Sequence, residues 1–398
     1  MSTPGYDKAT RLISSNVVNA SVSDAPKMVD VQQALALLYE VARDFPFASD
    51  ACLSAWYALL LTVPARHAIS EPVPLGLIDG NARAVGKGLL VDLIGEIDMG
   101  FSLARRAVPH DTAEWHKSML SIAMAAEPVV LFDNVTRTLR SEVLDAVLTG
   151  TSFQGRALGT NEEPMLAMRT LFLATSNNAT VSTDLVRRSL HVRLETRDEH
   201  PEQRSNFRHP DLRAYVRANR AALLSAALTV LRGYIVAGRP AVELVPMGSF
   251  EEWSALVRGA LVWAGMPDPG RTQDSLREMG DPERDALSEL LTAWRAHFGG
   301  RFVASAEVLA AIDRDAAVLT LRQAVMTACR TDGKPPDARR LGNILRGLRS
   351  QIADGLVLEA GSKGERGMPW RVRDTRLSAD SADSADSENR SPAGELFQ

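Results

Sequence analysis

The residues best placed to do chemistry are Gly86-Lys87, which stand between an apolar run, Leu75-Gly76-Leu77-Ile78, and a second one opening at Leu89-Leu90. Mostly small residues fill the interval, Asn81-Ala82-Arg83-Ala84-Val85. A strand that passes through such a loop into a helix offers backbone N–H groups and the positive helix end to an anion, and a lysine there reaches the outer phosphates of a nucleotide. The pattern therefore predicts a phosphate-binding loop with Asn81, Val85, Gly86, Lys87, Gly88 and Leu89 against the nucleotide. Two positions depart from GxxxxGK[ST]. Asn81 falls where the first glycine is usual, although Gly80 precedes it and asparagine tolerates a left-handed backbone. Gly88 replaces the Ser or Thr whose hydroxyl helps to hold Mg²⁺.

Further segments follow in the order such a loop requires. Pro128-Val129-Val130-Leu131-Phe132-Asp133-Asn134 reads as a strand buried on both faces that ends in a carboxylate, resembling a Walker B strand. Asp133 is the expected ligand to the Mg²⁺ hydration shell at the carboxyl end of a sheet. Asn134 stands where a water-orienting Glu is common, which leaves Glu114 or Glu127 as possible substitutes. A third strand, Thr170 to Thr175, runs into Ser176-Asn177-Asn178, where Asn177 or Asn178 can hydrogen-bond a γ-phosphate. Ser182 to Arg188 reads as a capped helix and Ser189 to Glu195 as a last alternating strand. Arg187 and Arg188 thus end a helix just before the last strand, where ring ATPases carry the arginine finger that acts on a neighbour's nucleotide.

This ordered set resembles the AAA+ ATPase module of phage, plasmid and prophage primase-helicase proteins, close to superfamily 3 helicases. The likeness is carried by Gly86-Lys87-Gly88, Val129 to Asn134, Gly155-Arg156-Ala157-Leu158-Gly159, Ala174 to Asn178, Asp184 to Arg188, Phe250 to Trp253 with Val257-Arg258, and Trp263 to Gly265 with Asp268-Pro269. It spans roughly residues 70 to 370. The resemblance implies an ATP- and Mg²⁺-dependent, ring-forming DNA helicase or replication-initiation ATPase of a phage or mobile element. It also implies a homo-hexamer with ATP between subunits and single-stranded or forked DNA in the channel, with a primase or other replication protein as partner. Lys87 would neutralise phosphate charge, and Arg156, on a hairpin over 153–168, would touch DNA phosphate. Because Gly88 and Asn134 break the pattern, a hydrolysis-weak AAA+ scaffold, loader or regulator is the alternative.

Composition sets the limits. A chain of 398 residues with 45% hydrophobic content can bury a large core and divide into two or three domains. The net charge of −4, from 45 basic and 49 acidic residues, argues against a surface coated in basic charge for nucleic acid, so DNA contact must be local. Cys52 and Cys329 lie far apart and indicate neither zinc nor a disulfide framework. No run of about 18 apolar residues occurs, and the first residues lack a signal pattern, so a cytoplasmic protein without membrane contact is expected.

The expected fold is α/β, an AAA+ P-loop core with a parallel sheet, N-terminal helices, a helical lid and a C-terminal winged-helix domain. The boundaries read as a flexible segment 1–28, helices 29–71, core 72–200, lid 201–280, winged-helix-like domain 281–373 and an acidic tail 374–398 built on Ser-Ala-Asp repeats. Arg213 or Arg217 of the lid could approach the nucleotide. Arg339, Arg340 and Arg346, with Arg349, would lie on a recognition helix over 338–352 that binds DNA or, alternatively, a protein.

Overall fold

The computed structural model describes residues 5–8, 12–14, 18–136, 138–156, 162–278, 282–314, 319–329, 331, 334–362, 364 and 367–376. The Ser-Ala-Asp tail lies outside them. The chain divides into two compact units, residues 1–279 and 280–398.

The first unit opens with a small antiparallel pair, β1 (Gly5–Asp7) and β2 (Leu12–Ser14), followed by helices α1 (Met28–Ala42) and α2 (Asp50–Ala65). Next come β3 (Leu75–Gly80), α3 (Lys87–Asp98), β4 (Arg105–Arg106), α4 (Thr112–Ala125), β5 (Val129–Val135) and α5 (Glu142–Val147). A short hairpin of β6 (Ser152–Gln154) and β7 (Met165–Ala167) leads to β8 (Leu171–Asn177), α6 (Thr183–Val186) and β9 (Ser189–Leu194). The long helix α7 (Leu212–Val236) and helices α8 (Glu251–Trp253), α9 (Gly259–Trp263) and α10 (Thr272–Glu278) complete the unit. A π-helical turn, Ser254–Arg258, joins α8 to α9.

Five strands form one parallel sheet in the order β4-β5-β8-β3-β9. Alternate residues of these strands enter two separate cores. Ile78, Leu131, Leu171 and Leu173 face the layer holding α1, α2, α3 and α7, whereas Leu77, Val130, Phe132 and Phe172 face α4 and α5. Burial on both faces is why β3, β5 and β8 read as continuous apolar runs rather than as alternation. Gly76 has a steric reason. A Cβ there would meet Leu173 and Leu59 side-chain carbons, each at 2.6 Å, so only glycine lets α2 approach the sheet this closely.

The Arg258 and Asp268 flagged in the sequence meet inside this unit. Arg258 is 1% exposed and donates through Nε at 2.9 Å and Nη2 at 2.6 Å to the two Asp268 carboxylate oxygens. Trp253 is fully buried and donates to Thr62 Oγ1 at 2.8 Å, which makes it core.

The second unit comprises α11 (Pro282–Phe298), β10 (Val303–Ala304), α12 (Ser305–Arg314), α13 (Leu319–Cys329), α14 (Ala338–Gly347), β11 (Ile352–Ala353), β12 (Leu356–Ala360) and β13 (Pro369–Asp374). Its strands form an antiparallel sheet in the order β10-β13-β12-β11 over a core that includes Leu290, Trp294, Val325, Leu341 and Trp370. Two local expectations change. Helix α13 was not foreseen, and the helix expected over 338–352 stops at Gly347. It stops because the chain turns into β11, paired to β12 through Asp354-Gly355, both at positive φ (49° and 78°), as a two-residue hairpin requires.

Candidate functional site

The carboxyl ends of β3, β5 and β8 carry most of the residues singled out from the sequence, at the edge where open α/β sheets bind ligands. The loop after β3 reaches α3 through Gly86, at φ 97° with a left-handed backbone. A Cβ on Gly86 would also press on the Phe45 ring at 2.9 Å. Asn81 does not merely imitate a glycine. Its amide donates to Thr196 O at 2.8 Å and its Oδ1 accepts from Thr196 N at 3.1 Å, tying the loop to the chain leaving β9.

Lys87 occupies the first residue of α3. Its ammonium donates to Ala82 O at 3.1 Å and to Asn177 Oδ1 at 2.6 Å, so loop and third strand converge on one cation. Burial pushes its pKa below the ordinary lysine value, the Arg193 guanidinium adds to this, and the carboxylates of Asp79 and Asp133 oppose it. A lysine held this way gains most from a bound anion.

Of the two adjacent amides, Asn177 faces Lys87 and Asn178 accepts from Arg193 Nη2 at 3.1 Å. Arg193 also pairs with the fully buried Asp79, which accepts from Ala179 N at 3.0 Å and lies 3.4 Å from His191 Nε2. Burial alone would raise the Asp79 pKa, but His191 and Arg193 hold it below the usual carboxylate range. This network under the loop escaped the sequence reading, where 189–195 showed only strand alternation.

At the end of β5 the register with β8 slips between Phe132 and Val135, and Asn134 takes a φ of 54°. Thr175 closes the irregularity: its hydroxyl donates to Asp133 Oδ1 and accepts from Asn134 N at 2.8 Å. Asp133 Oδ2 faces Arg105 Nε at 3.6 Å. Arg105 binds the fully buried Asp92 of α3 in a fork, at 3.1 and 2.8 Å, and Arg213 of α7 pairs with the same carboxylate and with Glu96. Hydrogen bonding and charge from Asp92 raise the pKa of Arg105. Arg213 is therefore the helical arginine that approaches the site, and Arg217 is exposed.

The Mg²⁺ expectation meets a different geometry. Residue 88 supplies no hydroxyl, Asp133 is engaged by Thr175 and faced by Arg105, and residue 134 is an amide. This donor set does not fit a divalent cation held as the resemblance implies. The substitutes proposed for the water-orienting Glu are in ion pairs, Glu114 with Lys117 at 2.7 Å and Glu127 with Arg106.

The arginine pair separates. Arg188 is 14% exposed and bound to Asp145 at 2.5 Å, whereas Arg187 is 63% exposed with Asp184 at 2.7 Å. Only Arg187 is presented outward. Arg156 is exposed beside the β6–β7 hairpin, whose residues 157–161 lie outside the described ones. In the second unit, Arg339, Arg340 and Arg346 are exposed on α14 and Arg349 just beyond it; Arg340 donates to Cys329 O at 3.1 Å and Arg346 to Asn343 Oδ1 at 2.9 Å.

Beside the loop lies a cavity of about 570 Å³. Val41, Phe45, Pro46, Leu89, Phe207 and Leu212 give it apolar walls, Ala84 to Gly86 border it, and Glu40, Asp44, His209 and Arg213 add polar groups. An apolar-walled cavity of this size suits a planar ring system with a few polar contacts. It was not foreseen, because its walls come from segments far apart in sequence.

No family model matches the chain, and no curated protein does. Among solved structures, the apo C-terminal region (305–718) of NrS-1 is similar at a TM-score of 0.45 and 13% identity, over 90% of this chain and 79% of that one. A second structure of that region gives 0.43 and 12%, over 93% and 82%. SCCmec type IV Cch, an active helicase, gives 0.36 and 13%, over 92% and 74%. No helix among the described residues is long and apolar enough to cross a membrane.

Proposed function

We propose that the first unit binds ATP, with the triphosphate on the Gly86-Lys87 loop and the base in the adjoining cavity, and that the protein works as a ring-forming DNA helicase or replication-initiation ATPase of a phage or mobile element. The observation that carries the reading is the Lys87–Asn177 hydrogen bond of 2.6 Å, at the carboxyl edge of a parallel sheet and beside a cavity of base-accepting size. In this reading residues 72–200 are the AAA+ core and 201–280 its lid, Asn177 senses the γ-phosphate, and the outward-facing Arg187 serves the neighbouring subunit's nucleotide. Arg156 contacts the single strand in the channel. Residues 281–373 act as a winged helix, with Arg339, Arg340 and Arg346 on DNA phosphates.

A second reading has its own support. Asn134 cannot act as a general base, and Arg105 opposes Asp133, which favours a nucleotide-binding scaffold, loader or regulator with little hydrolysis. ATP turnover with and without single-stranded DNA separates the two. The motor reading expects DNA-stimulated turnover and a hexamer by mass photometry with a non-hydrolysable analogue. Binding without turnover under every condition would leave only the scaffold.

A further inference from the structure

We infer that Arg105 stands in for the divalent cation, so that this protein binds a nucleoside triphosphate without a metal ion. The inference rests on the nucleotide-binding reading of the same site and concerns how the phosphate charge is met.

Three observations converge on it. Residue 88 has no side chain, and a Cβ placed there would find Arg105 Nη2 at 3.5 Å. The guanidinium thus lies over the position from which a Ser or Thr hydroxyl would reach a metal. Arg105 is also held in place. Its Nη1 and Nη2 fork onto Asp92 at 3.1 and 2.8 Å, and Nη1 donates again to Leu103 O at 2.9 Å. Asp92 is fully buried, and Arg213 pairs with its Oδ2 as well and helps to fix it. Finally, Nε points to Asp133 at 3.6 Å, the carboxylate that would otherwise share the metal.

The guanidinium therefore lies between Gly88 and Asp133, in the place that a divalent cation would otherwise take. With Nη1 and Nη2 forked onto Asp92 and Nη1 also on Leu103 O, the second N–H of Nη2 is the donor left for a phosphate oxygen, as a charge-assisted bond. Together with Lys87 the guanidinium gives the triphosphate two protein cations, one at the loop and one at the end of β5. Arg105 acts on the phosphates directly; Asp92 is a positioning residue that acts through it.

The test is titration of the full chain with a fluorescent ATP analogue, in excess EDTA and again in excess Mg²⁺. The expected result is an affinity in EDTA within about threefold of that in Mg²⁺, and a loss of about 100-fold in EDTA for Arg105→Ala. Arg105→Lys keeps the charge but loses the fork onto Asp92 that positions it, and should fall between the two. Arg105→Ala combined with Gly88→Thr restores a metal-type donor set, so its binding should become Mg²⁺-dependent. Thermal melts of each variant check that it is folded. Tight binding of the wild type in Mg²⁺ with a loss of about 100-fold or more in EDTA overturns the role of Arg105 while leaving nucleotide binding intact. No binding in either condition, with Lys87→Ala indistinguishable from wild type, overturns the nucleotide reading and this inference with it.

Discussion

Helix α3 carries a cation at its positive end and an anion at its negative end, both against the macrodipole, yet the two ends are built differently. At the start, Lys87 has two hydrogen-bond partners and lies beside the loop and cavity. At the finish, the Asp98 residue is half-buried, but its carboxylate oxygens are enclosed with no hydrogen-bond partner, and burial raises its pKa well above the ordinary value against the pull of Arg220. Between them Asp92 is fully buried but joined to two guanidinium groups. An unfavourable charge that is partnered and faces open space has a use there. One that is enclosed and unpartnered only costs stability.

The largest expected effect tests the first half of that contrast. Lys87→Ala should lower ATP affinity by about 100-fold or more, read by fluorescence titration, because it removes a charge-assisted contact to phosphate that no neighbour replaces. Its melting temperature should stay near that of the wild type, since a half-buried ammonium is lost without leaving a buried charge behind. Unchanged affinity would make the two ends of α3 equivalent.

Asp92 comes next. Asp92→Ala strips Arg105 and Arg213 of their common partner, but both are about two-fifths exposed and can rehydrate. The expected loss is therefore about 2–4 kcal/mol, below the usual cost of breaking a fully buried pair, measured by urea unfolding. A loss near zero would mean that the buried carboxylate contributes position and little stability.

The far end of the helix should respond with the opposite sign. Asp98→Asn removes a carboxyl whose ionised form folding encloses without a partner, so it should stabilise the protein by about 1–3 kcal/mol at neutral pH. The pH dependence follows from the raised pKa. The folded state holds this proton more tightly than the unfolded one, so the wild type regains stability as pH falls through the raised value toward 3.8. The advantage of the variant should shrink over that window, and unfolding curves of both proteins across pH would show it.

These contrasts also mark what the sequence could disclose. Lys87, Asp133 and Asn177 were legible because each follows an apolar run that must be a strand, and a parallel sheet brings such ends together. Arg105 was not, because its strand is two residues long and polar, carrying no periodicity. Arg193 was hidden because an alternating strand says which face a residue takes but not which buried acid it meets. The separate fates of Arg187 and Arg188 turn on Asp145, some forty residues away, and adjacent letters cannot encode that. The end of α14 was legible in principle, since Asp354-Gly355 is a hairpin signal that went unused.

The smallest expected effect is the one that discriminates most sharply at the other side of the site. A carboxylate that bridges to a metal costs about 10- to 100-fold in affinity when its charge is removed. Asp133 instead faces Arg105 and accepts from Thr175, and it adds a negative charge near a bound triphosphate. Asp133→Asn keeps the shape and an acceptor oxygen for Thr175 while removing that charge. ATP affinity should therefore change by no more than about threefold, with any change toward tighter binding, because phosphate oxygens no longer compete with a carboxylate for the guanidinium. Fluorescence titration in Mg²⁺ reads the difference. A loss of tenfold or more would assign Asp133 to a metal after all and would make the two sides of the phosphate site alike.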